Sequence, residues 1–428
     1  VSRPRGFAEL AGRSVGIWGV GVEGTAAARR LSGVAASLTL VDDVADPAHG
    51  VTGTREGGLE RLAECDVVLK SPGIPRRRAD VLALEAAGVT VTSALNLWLA
   101  EADRAHVIGV TGTKGKSTTT ALITFVLGAL GENAHSAGNI GRPPYDVDFP
   151  VGGWVVLEVS SFQAVDLEVA PAIVVVTSLG ADHLDWHGSL AQYHEDKLAL
   201  TRAAGDHLSL LAEDPALAER RDLVGGVVRV VEAREDDLVD RLGLLGRHNA
   251  GNVALALAAA AAATGRDEAE VADVVRAVAG RFEPLAGRLT LVRERGGVRY
   301  VDDGLATAPL PTVAALEVFA DVPVALIVGG FDRGVDYAEL AEAVARRERP
   351  TALVAMPDAG ERIARRVRES AEVPVAHCEE MDDAVAAARS ALPDGGVVLL
   401  SPAAPSFGRY ANWRERSDAF TRAVAALD

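Results

Sequence analysis

An apolar strand that runs into a glycine-rich turn, a lysine and a hydroxyl dictates what the middle of this chain folds into. Val107-Ile108-Gly109-Val110 leads into Thr111-Gly112-Thr113-Lys114-Gly115-Lys116-Ser117-Thr118-Thr119, and helix-forming sequence continues from Ser117 to about Leu130. Glycines let backbone N–H groups close around phosphate oxygens, and the start of a helix adds positive potential. In such a loop Lys116 reaches the β- and γ-phosphates of a nucleoside triphosphate, and the Ser117 hydroxyl holds Mg²⁺. The spacing departs from the common pattern, because Val110 stands five residues before Gly115 where a glycine is usual.

A chain of 428 residues exceeds one ordinary core, so two to three domains are expected. A hydrophobic content of 49% marks it as globular. The 43 basic and 60 acidic residues leave a net charge of −17, which argues against a nucleic-acid partner but not against an anionic small substrate in a locally positive site. Cys65 and Cys378 match no metal spacing and read as reduced thiols of a cytoplasmic protein. The start, Val1-Ser2-Arg3-Pro4-Arg5, lacks the apolar core of a signal peptide, and the apolar run Val253 to Ala263 is too short to span a bilayer. A soluble cytoplasmic protein without membrane insertion is expected.

The first hundred residues alternate between strand and helix. Ser14 to Trp18 reads as a buried strand, Gly19-Val20-Gly21-Val22-Glu23-Gly24 as a turn, and the following stretch to Leu31 as a helix. Leu38 to Val41 is the next strand, ending at Asp42-Asp43, about where a Rossmann-like unit places an acid near a ribose. Val67-Val68-Leu69 runs into Lys70-Ser71-Pro72-Gly73-Ile74. A nucleoside diphosphate and a dinucleotide are both open as ligands here. From about Ala105 to Gly287, the runs Trp154 to Leu157 and Ala172 to Thr177 suit a parallel sheet covered on both faces, and 249–263 and 268–279 suit helices. Strand–helix alternation resumes from about Arg288, with strands expected at 324–328, 352–354 and 397–400.

In open α/β sheets, ligands sit outside the carboxyl ends of the strands. Glu158 ends one such strand, and the next leads to Gly180-Ala181-Asp182-His183-Leu184-Asp185, so Glu158 and His183 are expected to face the phosphates. A carboxylate suits Mg²⁺, whereas an imidazole is a less usual ligand for so hard an ion. Lys197, within Tyr193-His194-Glu195-Asp196-Lys197-Leu198, reads on its own as a solvated helix charge.

Thr111-Gly112-Thr113-Lys114-Gly115-Lys116-Ser117, Gly138-Asn139-Ile140-Gly141, Glu158-Val159-Ser160-Ser161-Phe162-Gln163, Asp182-His183-Leu184-Asp185 and His248-Asn249-Ala250-Gly251-Asn252 occur in the order seen in Mur ligases, which the chain resembles over essentially its whole length. The Ser-Ser-Phe-Gln string and Leu400-Ser401-Pro402-Ala403-Ala404-Pro405-Ser406-Phe407 look like the glutamate-adding members, which extend UDP-N-acetylmuramoyl-L-alanine in peptidoglycan synthesis. The resemblance implies an α/β fold of three domains. A Rossmann-like domain at 1–104 binds the UDP end of the substrate, a central P-loop ATPase domain with a parallel sheet at 105–287 binds ATP, and a Rossmann-like α/β domain at 288–428 binds the incoming amino acid. It gives Gly112, Thr113, Lys114, Gly115, Lys116, Ser117, Thr118, Asn249, Arg288 and Asp303 to the nucleotide. Ser117, Glu158, His183 and Lys197 would serve two Mg²⁺ (or Mn²⁺), Lys197 as a carbamate, since an ammonium cannot ligate a cation. Lys116, Glu158, His183 and Lys197 form the implied catalytic set. Gly21, Asp42, Ser71 and Asn139 would meet the UDP-muramoyl substrate, and Thr307, Arg333, Ser406 and Trp413 the amino acid. A monomer is implied.

Several positions depart from the D-glutamate-adding pattern. Those enzymes read Asn-Asp-Ser-Lys-Ala-Thr where this chain has Asp302-Asp303-Gly304-Leu305-Ala306-Thr307, so a cation is missing at Leu305. Arg333 replaces another usual lysine, keeping the charge in a planar fork suited to a carboxylate. Trp413 stands where phenylalanine is frequent, and Ala286-Gly287-Arg288 where Pro-His-Arg is usual. These features look more like the branch that adds L-glutamate. A ligase of another amine in natural-product assembly, a P-loop phosphotransferase and a nucleotide-gated binding protein stay open as alternatives.

Overall fold

The computed structural model describes residues 3–233, 237–246 and 248–427. The long apolar runs become the inner strands of three sheets, and helices cover them. The first sheet contains β1 (Ser14–Trp18), β2 (Ser37–Asp42), β3 (Val51–Gly53), β4 (Val67–Lys70) and β5 (Thr90–Thr92) in the order β3-β2-β1-β4-β5. All its pairings are parallel. Side chains alternate between faces along a strand. Val15 and Ile17 therefore enter one core while Trp18 enters another with Val41 and Val68.

The second sheet is also parallel, with order β11-β10-β9-β6-β8-β7. Its strands are β6 (Val107–Thr111), β7 (Ala134–Gly138), β8 (Trp154–Glu158), β9 (Ile173–Val176), β10 (Leu208–Ala212) and β11 (Val227–Val231). The chain grows from β6 outward to β7, returns to β8, and then continues on the opposite flank at β9, so β6 lies where the direction of growth reverses. Ligand crevices form at such switch points.

The third sheet contains β12 (Thr290–Arg295), β13 (Val298–Asp302), β14 (Val324–Gly330), β15 (Thr351–Asp358), β16 (Val375–His377) and β17 (Gly396–Leu400). Its order is β12-β13-β17-β14-β15-β16, parallel except for the β12–β13 hairpin. Apolar residues on both faces of β14 enter separate cores, with Val324 and Leu326 on one side and Ala325 and Ile327 on the other.

The chain forms two compact units. One comprises Val1–Asp236 and Ala250–Val278, the other Asp237–Asn249 and Ala279–Asp428. Within the first unit, a continuous hydrophobic core joins the first two sheets, from Phe7, Leu95 and Leu99 to Tyr145, Leu157 and Val176. A buried ion pair reinforces that junction. Lys70, at the end of β4, donates to Asp166 and to the Ile74 carbonyl (3.1 Å). Burial raises the Asp166 carboxyl while Lys70 pulls it down. Removing either partner would strand a charge at a cost of about 3–5 kcal/mol. Among the described residues, no helix is long and apolar enough to cross a membrane.

Candidate active site

The candidate residues fall into two groups, one in each compact unit. In the first unit, parallel register sets the carboxyl ends of neighbouring strands side by side, with Val110 opposite Glu158, Thr111 opposite Val176 and Gly138 opposite Glu158. The loop after β6 then turns into the helix Lys116–Ala129 through Gly112 (φ 141°) and Gly115 (φ 85°). Both positions require glycine twice over. The backbone is left-handed, and a Cβ would stand 2.1 Å from Thr177 Oγ1 at Gly112 and 2.6 Å from Asn252 Oδ1 at Gly115.

Residues beyond β9 brace this loop. The Thr113 and Lys114 N–H groups donate to the Ser178 carbonyl and hydroxyl, both at 2.9 Å. Thr177 Oγ1 donates to the carbonyls of Thr111 and Lys114. The Thr113 hydroxyl oxygen accepts from Gly180 N–H and from the Tyr193 hydroxyl, again at 2.9 Å. Thr119 donates to Asn252 (3.2 Å), so Asn252 holds the helix start from the far side. The Lys116 ammonium folds back onto the carbonyls of Gly112 (2.8 Å) and Thr113 (3.1 Å), Ser117 is buried, and Thr118 is partly exposed on the same first turn.

Glu158 is buried. Its Oε1 accepts from Asn139 Nδ2 (2.7 Å), and its Oε2 is buried without a hydrogen-bond partner. Lys197 is also buried, and its amine donates to the Gly112 carbonyl at 2.9 Å. Burial drives the Lys197 amine well below the ordinary lysine range, and the nearby Lys116 charge pushes it further, against the pull of Asp182 and Glu158. Lys116, Glu158, Asp182 and Lys197 therefore share one electrostatic neighbourhood. His183 caps the short helix Leu184–His187 in a left-handed conformation (φ 49°), half exposed, with its ring 4.9 Å from Phe162.

In the first sheet, Asp42 closes the glycine turn. Its Oδ2 accepts from Val20 N–H and its Oδ1 from Asp43 N–H, both at 2.7 Å. Ser71 donates to the Gly19 carbonyl (2.6 Å), and Gly21 caps the helix Val22–Leu31 with open space around it.

In the second unit, Asn249 Nδ2 donates to the Leu245 carbonyl (2.7 Å). Asp303 follows β13 and accepts from the Ser401 hydroxyl (2.7 Å). Burial raises its carboxyl to about 7, with Arg288 pulling it down. The Arg333 guanidinium reaches across from the loop after β14 and donates to the Thr307 carbonyl (2.8 Å). Ser406 is buried beside Pro405, whose carbonyl accepts from Phe331 N–H at 2.8 Å. The Trp413 ring lies against Gly287, whose carbonyl accepts from Leu305 N–H at 3.0 Å. The strand order β13-β17-β14 thus gathers Asp303, Leu305, Thr307, Arg333 and Ser406 at one sheet end.

Thr177, Ser178, Tyr193 and Asn252 escaped the sequence-based site list. Asn252 does stand in the His-Asn-Ala-Gly-Asn motif, and its second asparagine was the available signal.

Residues 110–231 match the Mur ligase middle domain, and residues 287–404 match the Mur ligase glutamate ligase domain. The chain is 40% identical to a UDP-N-acetylmuramoyl-L-alanine–L-glutamate ligase of Micromonospora, covering 98% of both chains. An enzyme of the same name from Salinispora tropica is 37% identical, again over 98% of both. One from Xanthomonas euvesicatoria is 36% identical over 99% of this chain and 98% of its own. Among solved structures, the fold is similar to UDP-N-acetylmuramate-alanine ligase MurC of Thermotoga maritima (TM-score 0.56, 17% identity, 96% of this chain and 99% of that one). It is also similar to MurF ligase of Thermotoga maritima in complex with ADP (TM-score 0.53, 14% identity, 97% and 96%). A mixed α/β fold with parallel sheets and full-length identity at this level settle the family: the chain belongs to the Mur ligases, ATP-dependent enzymes that form amide bonds.

Proposed function

We propose that this enzyme joins L-glutamate to the alanyl carboxylate of UDP-N-acetylmuramoyl-L-alanine, with ATP hydrolysed to ADP and phosphate, as a cytoplasmic monomer of the peptidoglycan pathway. The segments 1–104, 105–287 and 288–428 serve the UDP-linked substrate, ATP and glutamate respectively. One observation carries the proposal: the Lys116 loop, the buried Glu158 carboxylate and the buried Lys197 amine converge at one strand end. The names of full-length relatives at 36–40% identity support the choice of the L-enantiomer.

The alanyl carboxylate attacks the γ-phosphorus of ATP, giving an acyl phosphate and ADP. The carbonyls of Gly112 and Thr113 are weak partners for an ammonium. Phosphoryl oxygens replace them on Lys116, and the cation then offsets the charge that gathers during transfer. The glutamate amine next attacks the acyl carbon, phosphate departs, and the amine loses a proton. Water would destroy the acyl phosphate, so the site must exclude it while the amine arrives.

The chain's donor set fits magnesium. Glu158 Oε2 is buried with an unfilled acceptor, and Ser117 and His183 would supply further oxygen and nitrogen. No group of three or more His, Cys, Asp or Glu among the described residues could hold a metal. Magnesium commonly completes its shell with substrate phosphates and water rather than a full protein cage. When bound, magnesium supplies charge stabilisation at the phosphoryl oxygens. Lys197 would join the ligand set as a carbamate, its amine in the neutral form adding CO₂ and releasing one proton.

Incubation of the enzyme with UDP-N-acetylmuramoyl-L-alanine, ATP and either enantiomer of glutamate tests the proposal. ADP release should depend on L-glutamate and match dipeptide formation. Equal use of both enantiomers, or ADP release without an amino acid, refutes it. Arg333→Ala should raise the KM for glutamate by about tenfold or more, because a hydrogen bond to a charged group contributes roughly 1.5–3 kcal/mol. The KM for ATP should be unchanged, and steady-state titration of each substrate measures both.

A further inference from the structure

Resting on that proposed function, the geometry points to His187 as a positioning residue that fixes the turn carrying His183. His187 is wholly buried between two partners. One ring nitrogen, Nδ1, lies 2.7 Å from Asp196 Oδ2, and the other, Nε2, lies 3.0 Å from the Ser161 hydroxyl.

The proton inventory follows from these partners. Arg77 grips both oxygens of Asp196 (3.0 and 2.8 Å), and Gln192 Nε2 donates to Oδ1 at 3.0 Å. An ionised carboxylate can only accept, so His187 must donate from Nδ1. In the neutral ring Nε2 is then a bare acceptor, and the Ser161 hydroxyl donates to it. One tautomer satisfies every partner, and the ring cannot turn over without breaking both bonds.

What the ring ties together gives it consequence. Ser161 opens the short helix that follows Glu158, and Asp196 directly precedes Lys197. Arg77 comes from the first-sheet turn that bears Ser71, and Trp186, the neighbour of His187, donates its indole N–H to the Gly73 carbonyl of that turn at 3.2 Å. Phe162 stacks on His187 (5.5 Å, 26°) and meets His183 on its way out (4.9 Å). The His187 ring also meets Tyr193 in a T-shaped contact (5.1 Å, 75°), and Tyr193 holds the phosphate loop at Thr113. His183 itself stays in a left-handed conformation that costs a non-glycine residue about 1–2 kcal/mol. The Leu184–His187 turn pays this only while His187 anchors its end. Without the anchor, the turn relaxes and His183 leaves its place beside Phe162.

Two variants separate positioning from folding. The amide nitrogen of asparagine falls near Nδ1, so His187→Asn keeps the donor to Asp196. His187→Ala keeps nothing. Outer-shell partners of a ligand typically contribute 10–100-fold, so His187→Ala should lower kcat by about that factor, with the KM for glutamate within twofold and the folded fraction unchanged. His187→Asn should recover at least a third of the lost rate. Wild-type kcat in His187→Ala, or a loss that asparagine does not restore, overturns the proposal. A second measurement is independent of turnover and of the substrate assigned above. In ¹⁵N spectra of the full chain, the resonances lost in His187→Asn should show a protonated Nδ1 and a bare Nε2. A protonated Nε2 overturns the proposal whether or not the enzyme ligates glutamate.

Discussion

Lys116→Ala is expected to lower ATP-dependent ligation by about 10³-fold or more, the scale on which a cation at a transferring phosphoryl group acts. Its ammonium donates to Gly112 and Thr113, carbonyls of its own loop, while Ser178, Tyr193 and Asn252 brace that loop and its helix by other bonds. The variant should therefore keep its fold and lose its chemistry. Coupled assay of ADP, together with chromatography of the dipeptide product, measures the loss, and circular dichroism checks the fold. Near-normal turnover in a folded variant would remove the phosphate-loop assignment.

Lys197→Ala should cost about 10²–10³-fold in kcat, comparable to deleting one preorganised electrostatic partner. The loss should be partly reversed by formate or acetate, which can enter the space left by the side chain and restore a carboxylate. The physical basis is the depressed amine: burial and the Lys116 charge push it well below the ordinary lysine range, which favours the neutral form, the one that captures CO₂. Titration of the variant with short-chain acids at fixed pH gives the rescue curve. A flat curve with folded protein would mean that Lys197 acts as an amine, through its bond to the Gly112 carbonyl.

Buried parallel strands announce themselves in sequence. The runs at 107–110, 154–157 and 324–328 lie inside β6, β8 and β14, because a strand covered on both faces must be apolar throughout. Edge strands do not. β7 reads Ala-His-Ser-Ala-Gly, with no β-branched residue, and its strand character comes from pairing with β8. The β12–β13 hairpin was hidden by its Arg and Glu residues, although Gly296-Gly297, both at positive φ, is the turn signal that would have revealed it. At the site, Lys116 and Glu158 were legible because each follows or ends an apolar run. The braces from Thr177, Ser178 and Tyr193 were not, since ordinary hydroxyls gain meaning only when β9 lies beside β6. His187 was the hardest to see. Its partners Ser161 and Asp196, and Arg77 behind Asp196, come from three separate stretches of chain, and no spacing rule relates them.

The hydrophobic core that runs unbroken from the first sheet into the second has an evolutionary corollary. A first-sheet module whose inner face is half of another sheet's interior cannot be traded between lineages as a cassette. Any recombinant that imports a foreign N-terminal quarter inherits mismatched shapes at Phe7, Leu99 and Tyr145 and an orphaned Asp166. Changes tolerated in such a scaffold are therefore those that leave the seam intact.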